Sequence, residues 1–144
     1  MAEALMLEVV TPEREVDRES VAEVQLPGLS GYLGILPGHT PLLTQLGIGS
    51  LIYKKGAESG FIAVIGGFAE VLPERVTVLA EAAERSEEID VARALADLAE
   101  AEKRLAASST DPNTDWDAML KSVASARARL EAASHGAPSA NKET

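Results

Sequence analysis

The stretch LPGLSGYLGILPGHTPLL, residues 26–43, contains two Pro-Gly pairs and two further glycines. Because proline and glycine end regular elements and favour tight turns, this stretch has room only for short strands. Apolar and polar residues alternate immediately before it, where Val24 and Leu26 flank Gln25. The stretch therefore predicts strands that bury one face and are joined by tight turns.

The same pattern continues on both sides of this stretch. Near the N-terminus Leu5, Leu7 and Val9 occupy every second position, and apolar runs rich in β-branched residues cover residues 48–53 and 61–65. Short strands about 8–12 residues apart with Gly or Pro turns are typical of an antiparallel β-sandwich or barrel. No long helical segment intervenes, which disfavours a parallel sheet built from β-α-β units.

The composition changes near residue 86. Ten of the eleven glycines lie between Gly28 and Gly67, whereas alanine, which has the highest helix propensity, dominates after residue 86. Turn-forming residues 108–113 then separate two stripes of apolar residues at helical spacing, so we predict an antiparallel two-helix hairpin. The stripes are Val91, Leu95, Leu98 and Leu105 in the first helix, and Trp116, Leu120, Val123 and Leu130 in the second.

These patterns divide the chain into a β part followed by an α part. We predict a β-sandwich domain over residues 1–85, a helical hairpin over residues 86–134 and a disordered tail over residues 135–144. The tail is predicted from its small and polar residues, which offer little apolar surface to bury.

Composition excludes several classes of function. Lys and Arg total 13 against 23 Asp and Glu, a net charge of −10, and such an acidic surface repels nucleic acid and anionic lipid headgroups. The absence of cysteine excludes disulfides, thiolate metal sites and a cysteine nucleophile. No apolar run approaches the roughly 20 residues of a membrane helix, and the first residues do not resemble a signal peptide. We therefore expect a protein of a reducing cytoplasm that does not insert into a membrane.

The residues do not group into a catalytic site. The sequence contains no Gly-Lys-Ser or Gly-Lys-Thr, which excludes a phosphate-binding loop of the Walker type. Its two histidines, His39 and His135, lie far apart, and neither has an acidic motif beside it. No nucleophile, base and oxyanion donor are brought together by spacing. The residues predict a non-catalytic interaction protein without a metal site.

Four blocks, residues 26–43, 66–71, 76–81 and 89–94, resemble in order and spacing the signature of the epsilon subunits of bacterial F-type, proton-translocating ATP synthases. The resemblance covers about residues 5–133. It implies a sandwich of about ten strands followed by the helical hairpin, and a non-catalytic central-stalk subunit. Such a subunit lies at the cytoplasmic face of the inner membrane as a peripheral protein and needs no cofactor to fold.

The resemblance also implies partners. The sandwich packs on the gamma subunit and on the polar loops of the c-ring, and so helps to couple proton translocation to ATP synthesis. Tyr32 stands where many members carry an acidic residue on the loop that faces the c-ring. The residues implied in these contacts are Gly31, Tyr32, Leu33, Gly34, Pro37, Gly38, His39 and Leu42.

The hairpin is implied in regulation. In many bacteria it extends into the head of alpha and beta subunits and restrains ATP hydrolysis. This chain carries three cations on its predicted second helix that would meet acidic segments of the head, namely Lys121, Arg127 and Arg129.

A nucleotide site is implied at the start of the first helix, for weak binding of ATP as a regulatory ligand. The sequence departs from the family at Glu100 and Ser125, where basic residues are expected. From the residues alone, Asp90 also suits a helix cap and Arg93 a contact with the sandwich. The residues implied in the site are Glu84, Ile89, Asp90, Arg93, Ala94, Arg127 and Arg129.

A second class of function stays open at this point. A free-standing β-sandwich module that binds a carbohydrate or peptide, with a helical hairpin for dimerisation, has the same two-part organisation. Such a module needs an aromatic platform for its ligand. The sequence has only five aromatic residues, and they do not cluster.

Overall fold

The computed structural model describes residues 4–108 and 110–136. Seven strands form one sheet, and two helices joined to it by a short 3₁₀ turn follow. The elements are β1 (Leu5–Val10), β2 (Glu15–Val21), β3 (Glu23–Gly28), β4 (Gly31–Ile35), β5 (Leu42–Lys55), β6 (Glu58–Leu72), β7 (Arg75–Arg85), the 3₁₀ turn (Ser86–Glu88), α1 (Val91–Ala107) and α2 (Trp116–Gly136). The order of strands in the sheet is β2-β1-β7-β6-β5-β3-β4.

The sheet curls over until distant strands touch. The backbone N–H of Ala22, just after β2, donates to the carbonyl of Lys54 on β5 over 2.7 Å, although three strands separate β2 from β5 in the order. The curled sheet encloses one aliphatic core to which every strand contributes. This confirms the predicted sandwich followed by a hairpin. The largest buried side chains include Leu5, Leu7, Leu26, Ile35, Leu46, Leu51 and Ile62.

The described residues form seven strands where about ten were predicted, because three of the strands run through both layers of the sandwich. β5, β6 and β7 contain 14, 15 and 11 residues. Their pairing is interrupted along one row, between Leu46 and Ile48 on β5 and between Ile65 and Gly67 on β6. Counting each of the three as two strands gives the expected ten.

Gly67 makes this bend possible. Its φ of 111° lies in the region that other residues rarely adopt, and a Cβ there would collide with the carbonyl oxygen of Leu79 on β7. The preceding residue, Gly66, also has a positive φ, of 65°. The Gly-Gly pair therefore lets β6 bend while β7 stays close.

The sequence predicted an antiparallel sandwich, but one pair of strands is parallel. β1 pairs in parallel with β7, from Met6 opposite Arg75 to Val10 opposite Leu79. No helix joins the two strands, since the chain passes through β2 to β6 between them. The alternation of Leu5, Leu7 and Val9 indicates which face is buried, but it carries no information on the direction of the partner strand.

The hairpin is folded back, with α2 on the outer face of the sandwich and α1 on α2. The contact is made largely by small side chains, which let the backbones approach closely. Ring stacking adds to it where the centroids of Phe61 on β6 and His135 on α2 lie 5.2 Å apart. The apolar cluster of this contact consists of Ala63, Ile89, Ala94, Ala132 and Ala133, with Phe61 and Leu130 packed against it.

The predicted apolar stripe of the first helix is half right. Val91 and Leu95 are exposed, whereas Leu98 and Leu105 are half-buried on the same face as the buried Ala94 and Ala101. In α2, Val123 is buried as expected, but Trp116 and Leu120 are exposed. Large side chains alone do not define the packed face when a helix packs partly through alanine.

The end of α2 also differs from the prediction. The helix continues to Gly136, so His135 and Gly136 are helical, although the sequence had placed them in the tail. The remaining tail residues, 137–144, lie outside the described part of the chain. Neither helix of the described residues combines the length and the apolar character that crossing a bilayer requires.

Charged groups fix the junction between sandwich and hairpin. Oε1 of Glu88 accepts hydrogen bonds from Nε of Arg85 over 2.9 Å and from Nη2 of Arg14 over 3.2 Å. Burial raises the pKa of Glu88, but these hydrogen bonds outweigh it and leave the pKa below its ordinary value. The 3₁₀ turn is thereby tied to the last strand and to the β1–β2 turn.

An acidic pair lies at the seam between β2 and β5. The hydroxyl of Tyr53 lies beside the carboxylates of Asp17 and Glu19, but Oδ2 of Asp17 and Oε2 of Glu19 are buried without a hydrogen-bond partner among the described residues. Burial raises the pKa of Asp17, and the neighbouring charge of Glu19 raises it further. Ionisation of Asp17 therefore weakens this seam, whereas Glu19 is ion-paired across it, with Oε1 lying 3.7 Å from Nζ of Lys55 on β5.

Replacing Asp17 by Asn should stabilise the protein at neutral pH. The folded state holds the Asp17 proton more tightly than the unfolded chain does. The wild-type free energy of unfolding therefore falls as the pH rises from the ordinary Asp pKa of about 3.9 through the raised folded value. We expect Asp17→Asn to raise the melting temperature by a few degrees at about pH 7 and by less at about pH 4, measured by circular dichroism.

The exposed Glu13 of the β1–β2 turn supplies the control, since Glu13→Gln makes the same change of charge away from the seam. It should leave the melting temperature unchanged. If the melting temperatures of wild type and Asp17→Asn changed in parallel with pH, Asp17 would not be the group that weakens the seam.

Candidate functional site

One end of the sandwich carries the turns that the sequence analysis singled out. The residues Gly31, Tyr32, Leu33 and Gly34 lie on β4, and Pro37, Gly38 and His39 lie in the loop that leads to Leu42 at the start of β5. The structure thus brings the predicted partner-binding residues to one hairpin and the loop after it.

Backbone contacts hold this loop in place. Gly38 has a φ of 86°, which favours glycine, and its N–H donates to the carbonyl of Pro73 in the β6–β7 turn over 2.7 Å. Nδ1 of His39 lies 2.6 Å from the carbonyl oxygen of Thr40, a contact within the turn. His39 therefore shapes the loop, and Gly38 joins it to the neighbouring turn.

Tyr32 is anchored at one end and open along its ring. Its hydroxyl accepts a hydrogen bond from the backbone N–H of Ser50 over 3.2 Å, while about half of the residue is exposed. Burial raises the pKa of this hydroxyl, so it stays neutral at physiological pH. The anchor holds the ring at the surface in one orientation.

This end of the sandwich exposes large apolar side chains, with Leu43 at 72% the most exposed of them. Large exposed apolar surfaces mark interaction sites in soluble proteins. The group, which we call the turn end, consists of Leu29, Tyr32, Leu36, Leu42 and Leu43.

A second exposed apolar surface lies on the half of the long strands that α2 does not cover. Phe68 on β6 and Leu79 on β7 are directly opposite each other, and Leu72 points to the same side, with Leu43 of the turn end beside it. We call Phe68, Leu72 and Leu79 the open face. The sequence analysis missed Phe68, Leu72 and Leu79, although their alternation with buried Ala69, Val71 and Val78 indicates that they face outward.

The cations of α2 are already paired within the chain. Nζ of Lys121 lies 2.9 Å from Oε2 of Glu81 on β7, and Nη2 of Arg127 lies 3.5 Å from Oε1 of Glu102 on α1. Both pairs are exposed to solvent. Exposed pairs of this kind contribute only about 0.2–1 kcal/mol each, so they exchange partners at small cost.

Arg129 is held by two carboxylates. Its Nε atom lies 2.7 Å from Oε1 of Glu84, and its Nη1 atom lies 3.3 Å from Oδ2 of Asp97. The Nε contact is an ion pair without hydrogen-bond geometry. Asp97 was absent from the sequence analysis, since nothing in the spacing indicated that α1 would present it to α2.

Most other residues of the predicted nucleotide site serve the fold by capping a helix or packing in the core. Oδ1 of Asp90 caps α1 by accepting from the backbone N–H of Arg93 over 3.0 Å. Ile89 and Ala94 are buried in the apolar cluster under α2. Arg93 makes no ion pair with any residue in 4–108 or 110–136.

A groove of about 780 Å³ runs between the two helices. Carboxylates and cations are balanced along it, so its net charge does not favour a polyphosphate. The charged residues that line it are Asp97, Glu100, Arg104, Asp115, Lys121 and Arg129.

Two family models match the chain in succession. The beta-sandwich domain of the ATP synthase delta/epsilon chain matches residues 4–86, and the long alpha-helix domain of the same chain matches residues 87–134. The two matches meet at the 3₁₀ turn that joins β7 to the hairpin.

Bacterial relatives are similar over most of their length. The ATP synthase epsilon chain 2 of Syntrophotalea carbinolica is 43% identical over 136 residues, which cover 94% of this chain and 98% of the relative. The ATP synthase epsilon chain of Solibacter usitatus is 59% identical over 98 residues, which cover 68% of this chain and 73% of the relative.

A solved structure has the same arrangement of sandwich and helices. A chain in the mitochondrial ATP synthase of Euglena gracilis, an assembly of OSCP, F1 and c-ring, is 25% identical with a TM-score of 0.77. The match covers 94% of this chain and 84% of the Euglena chain.

ATP binding should be weak, because the phosphates must displace Glu84 and Asp97 from Arg129. Titration calorimetry should give a dissociation constant in the millimolar range for the wild type. Asp97→Asn should bind more tightly, since it frees one side of the guanidinium, and Arg93→Ala should bind more weakly.

Glu13→Gln serves as the control for Asp97→Asn. It removes the same charge at an exposed turn and releases none of the cations of the predicted site. Tight binding to the wild type, or equal heats for Arg93→Ala and wild type, would contradict this assignment.

Proposed function

The chain belongs to the family of ATP synthase delta and epsilon chains, and from that premise we propose that it is the epsilon-type, non-catalytic subunit of the central stalk in a bacterial proton-translocating ATP synthase. The observation that carries this function is the pair of family matches, which together span residues 4–134 across both parts of the fold. As part of the rotor, the subunit helps to couple proton translocation to ATP synthesis. It lies at the cytoplasmic face of the inner membrane, held there by its partners.

The two exposed apolar surfaces suit two partners. The open face presents Phe68 and Leu79 on the rigid strands of the sandwich, which fits a broad, stable contact with the gamma subunit. The turn end presents loops, with Tyr32 fixed at the surface in the stretch that the family resemblance assigns to the c-ring, so we assign this end to the c-ring. A subunit that touches both joins gamma to the ring.

The hairpin has the features of a restraint on ATP hydrolysis. Lys121 and Arg127 form exposed ion pairs, which acidic segments of the alpha and beta subunits would replace on extension. Exposed Leu95 and Leu120 would then gain apolar contacts that they lack in the folded-back hairpin. Extension would therefore exchange contacts within the chain for contacts with the head.

The alternative of a free-standing ligand-binding module lacks support in the fold. Phe61 is covered by His135, and Phe68 lies on the half of β6 beyond the bend, so the two rings do not form a platform. Family membership across both parts of the chain favours the stalk subunit instead.

The open face should be required for binding to gamma. We expect the double variant Phe68→Ser/Leu79→Ser to bind gamma at least about tenfold more weakly, because large buried apolar side chains dominate such interfaces. Its own stability should change little, since the two residues are 52% and 57% exposed. Surface plasmon resonance with immobilised gamma measures the affinity.

Leu95→Ser/Leu120→Ser is the matched control. Those residues are 54% and 52% exposed but lie on the hairpin. Unchanged gamma binding by Phe68→Ser/Leu79→Ser, or an equal loss in the control, would refute the assignment of the open face.

Deleting residues 87–144 from the assembled enzyme should raise ATP hydrolysis and leave synthesis in place. Lys121→Gln/Arg127→Gln should raise hydrolysis in part, since it removes two of the cations that would meet the head. Hydrolysis and ATP synthesis are measured on inverted membrane vesicles.

Lys103→Gln/Arg104→Gln removes the same charge from α1 and should leave hydrolysis at the wild-type rate. A hydrolysis rate unaffected by the deletion would show that the hairpin does not restrain the enzyme.

A further inference from the structure

Arg129 lies where β7, α1 and α2 meet. It belongs to α2, and its guanidinium contacts Glu84 on β7 and Asp97 on α1 at 2.7 and 3.3 Å. The side chain of Arg129 is 17% exposed, against 66% for Arg127 on the same helix. One cation is therefore shared by two anions from two other elements, in a site that water reaches only in part.

The two ion pairs depend on each other. Glu84 and Asp97 carry like charges, which repel each other unless Arg129 lies between them. An ion pair also weakens when water surrounds it, because the effective dielectric constant rises. If α2 left the sandwich, water would reach the remaining pair of Arg129 with Asp97, and α1 would be held less firmly. Separation of α1 would weaken the pair with Glu84 in the same way.

The other ion pairs of α2 lack this double role. Lys121 pairs only with the sandwich, through Glu81, and Arg127 pairs only with α1, through Glu102, among the described residues. The apolar cluster at the same end of the helices consists largely of alanines, which bury little area each. The double ion pair is therefore the polar contact that links docking of α2 to closing of α1.

The geometry points to Arg129 as a positioning residue that joins two movements, docking of α2 on the sandwich and closing of α1 on α2, into one cooperative step. The hairpin then has two main states, docked and closed or undocked and open. Neither state needs a bound ligand. This coupling lies within the isolated chain, so it does not depend on the partners with which the chain assembles.

Pulsed electron paramagnetic resonance on the full chain tests this coupling. The sequence contains no cysteine, so spin labels attach only at introduced ones. Labels at Ala57→Cys and Asp117→Cys report docking, and labels at Lys103→Cys and Asp117→Cys report closing; all three positions are exposed. We expect Asp97→Asn to raise the long-distance population of both pairs about tenfold, although the ion pair of Asp97 is to α2 and not to the sandwich.

Glu84→Gln should give the converse result, with a longer closing distance although Glu84 does not belong to the hairpin. In the double variant Glu84→Gln/Asp97→Asn, the population at long distance should rise by less than the product of the two single increases, since both substitutions act through Arg129. Arg129→Lys should restore part of the docked and closed population relative to Arg129→Met, because an ammonium keeps the charge but lacks the forked donors.

Glu100→Gln is the matched control. It removes the same charge one helical turn from Asp97, and it breaks only the pair with Arg104 inside α1. Both distance distributions should stay as in the wild type. The proposal is overturned if Asp97→Asn lengthens the closing distance alone, or if Glu100→Gln lengthens both distances equally. If circular dichroism shows that Asp97→Asn has lost helix content, Glu84→Gln replaces it as the test. An unchanged closing distance in Glu84→Gln would then overturn the proposal.

Discussion

The bend shared by β5, β6 and β7 is the constraint on which the rest of the molecule depends. Because the pairing of these strands breaks along one row beside Gly66 and Gly67, each strand serves both layers of the sandwich. One half of their outer face then receives α2, and the other half remains open with Phe68 and Leu79 exposed. The same bend thus separates the surface that holds the hairpin from the surface that is free for a partner.

The sequence predicts the β part better than the α part, for a physical reason. In a strand with one buried face, alternation alone identifies the inward side chains, as at Val24 and Leu26. The hairpin packs through Ala94 and Ala101, and alanine is too common after residue 86 to mark a face. The local pattern of side chains does not indicate strand direction, so the parallel pairing of β1 with β7 could not be predicted from it.

The candidate site shows the same limit. The turns around Gly38 were readable because glycine and proline restrict the backbone locally. The pairing of Arg129 with Glu84 and Asp97 was not readable, since it joins residues 45 and 32 positions apart along the chain, on three elements. The helix cap at Asp90 was predicted from the sequence and is confirmed, while the buried apolar cluster around Ile89 became visible only in the fold.

The parallel pairing of β1 with β7 also bears on how the protein is made. β1 and β7 can pair only after Arg75, the partner of Met6, has been synthesised. Because these residues are far apart in the sequence, the contact that closes the sandwich has a high contact order. Until then β1 has only β2 as a partner, and its other edge stays unpaired during translation. The hairpin follows β7 in the chain, so it leaves the ribosome after the strand that seals this edge. All strands of its docking surface, which includes β7, are therefore synthesised before α2.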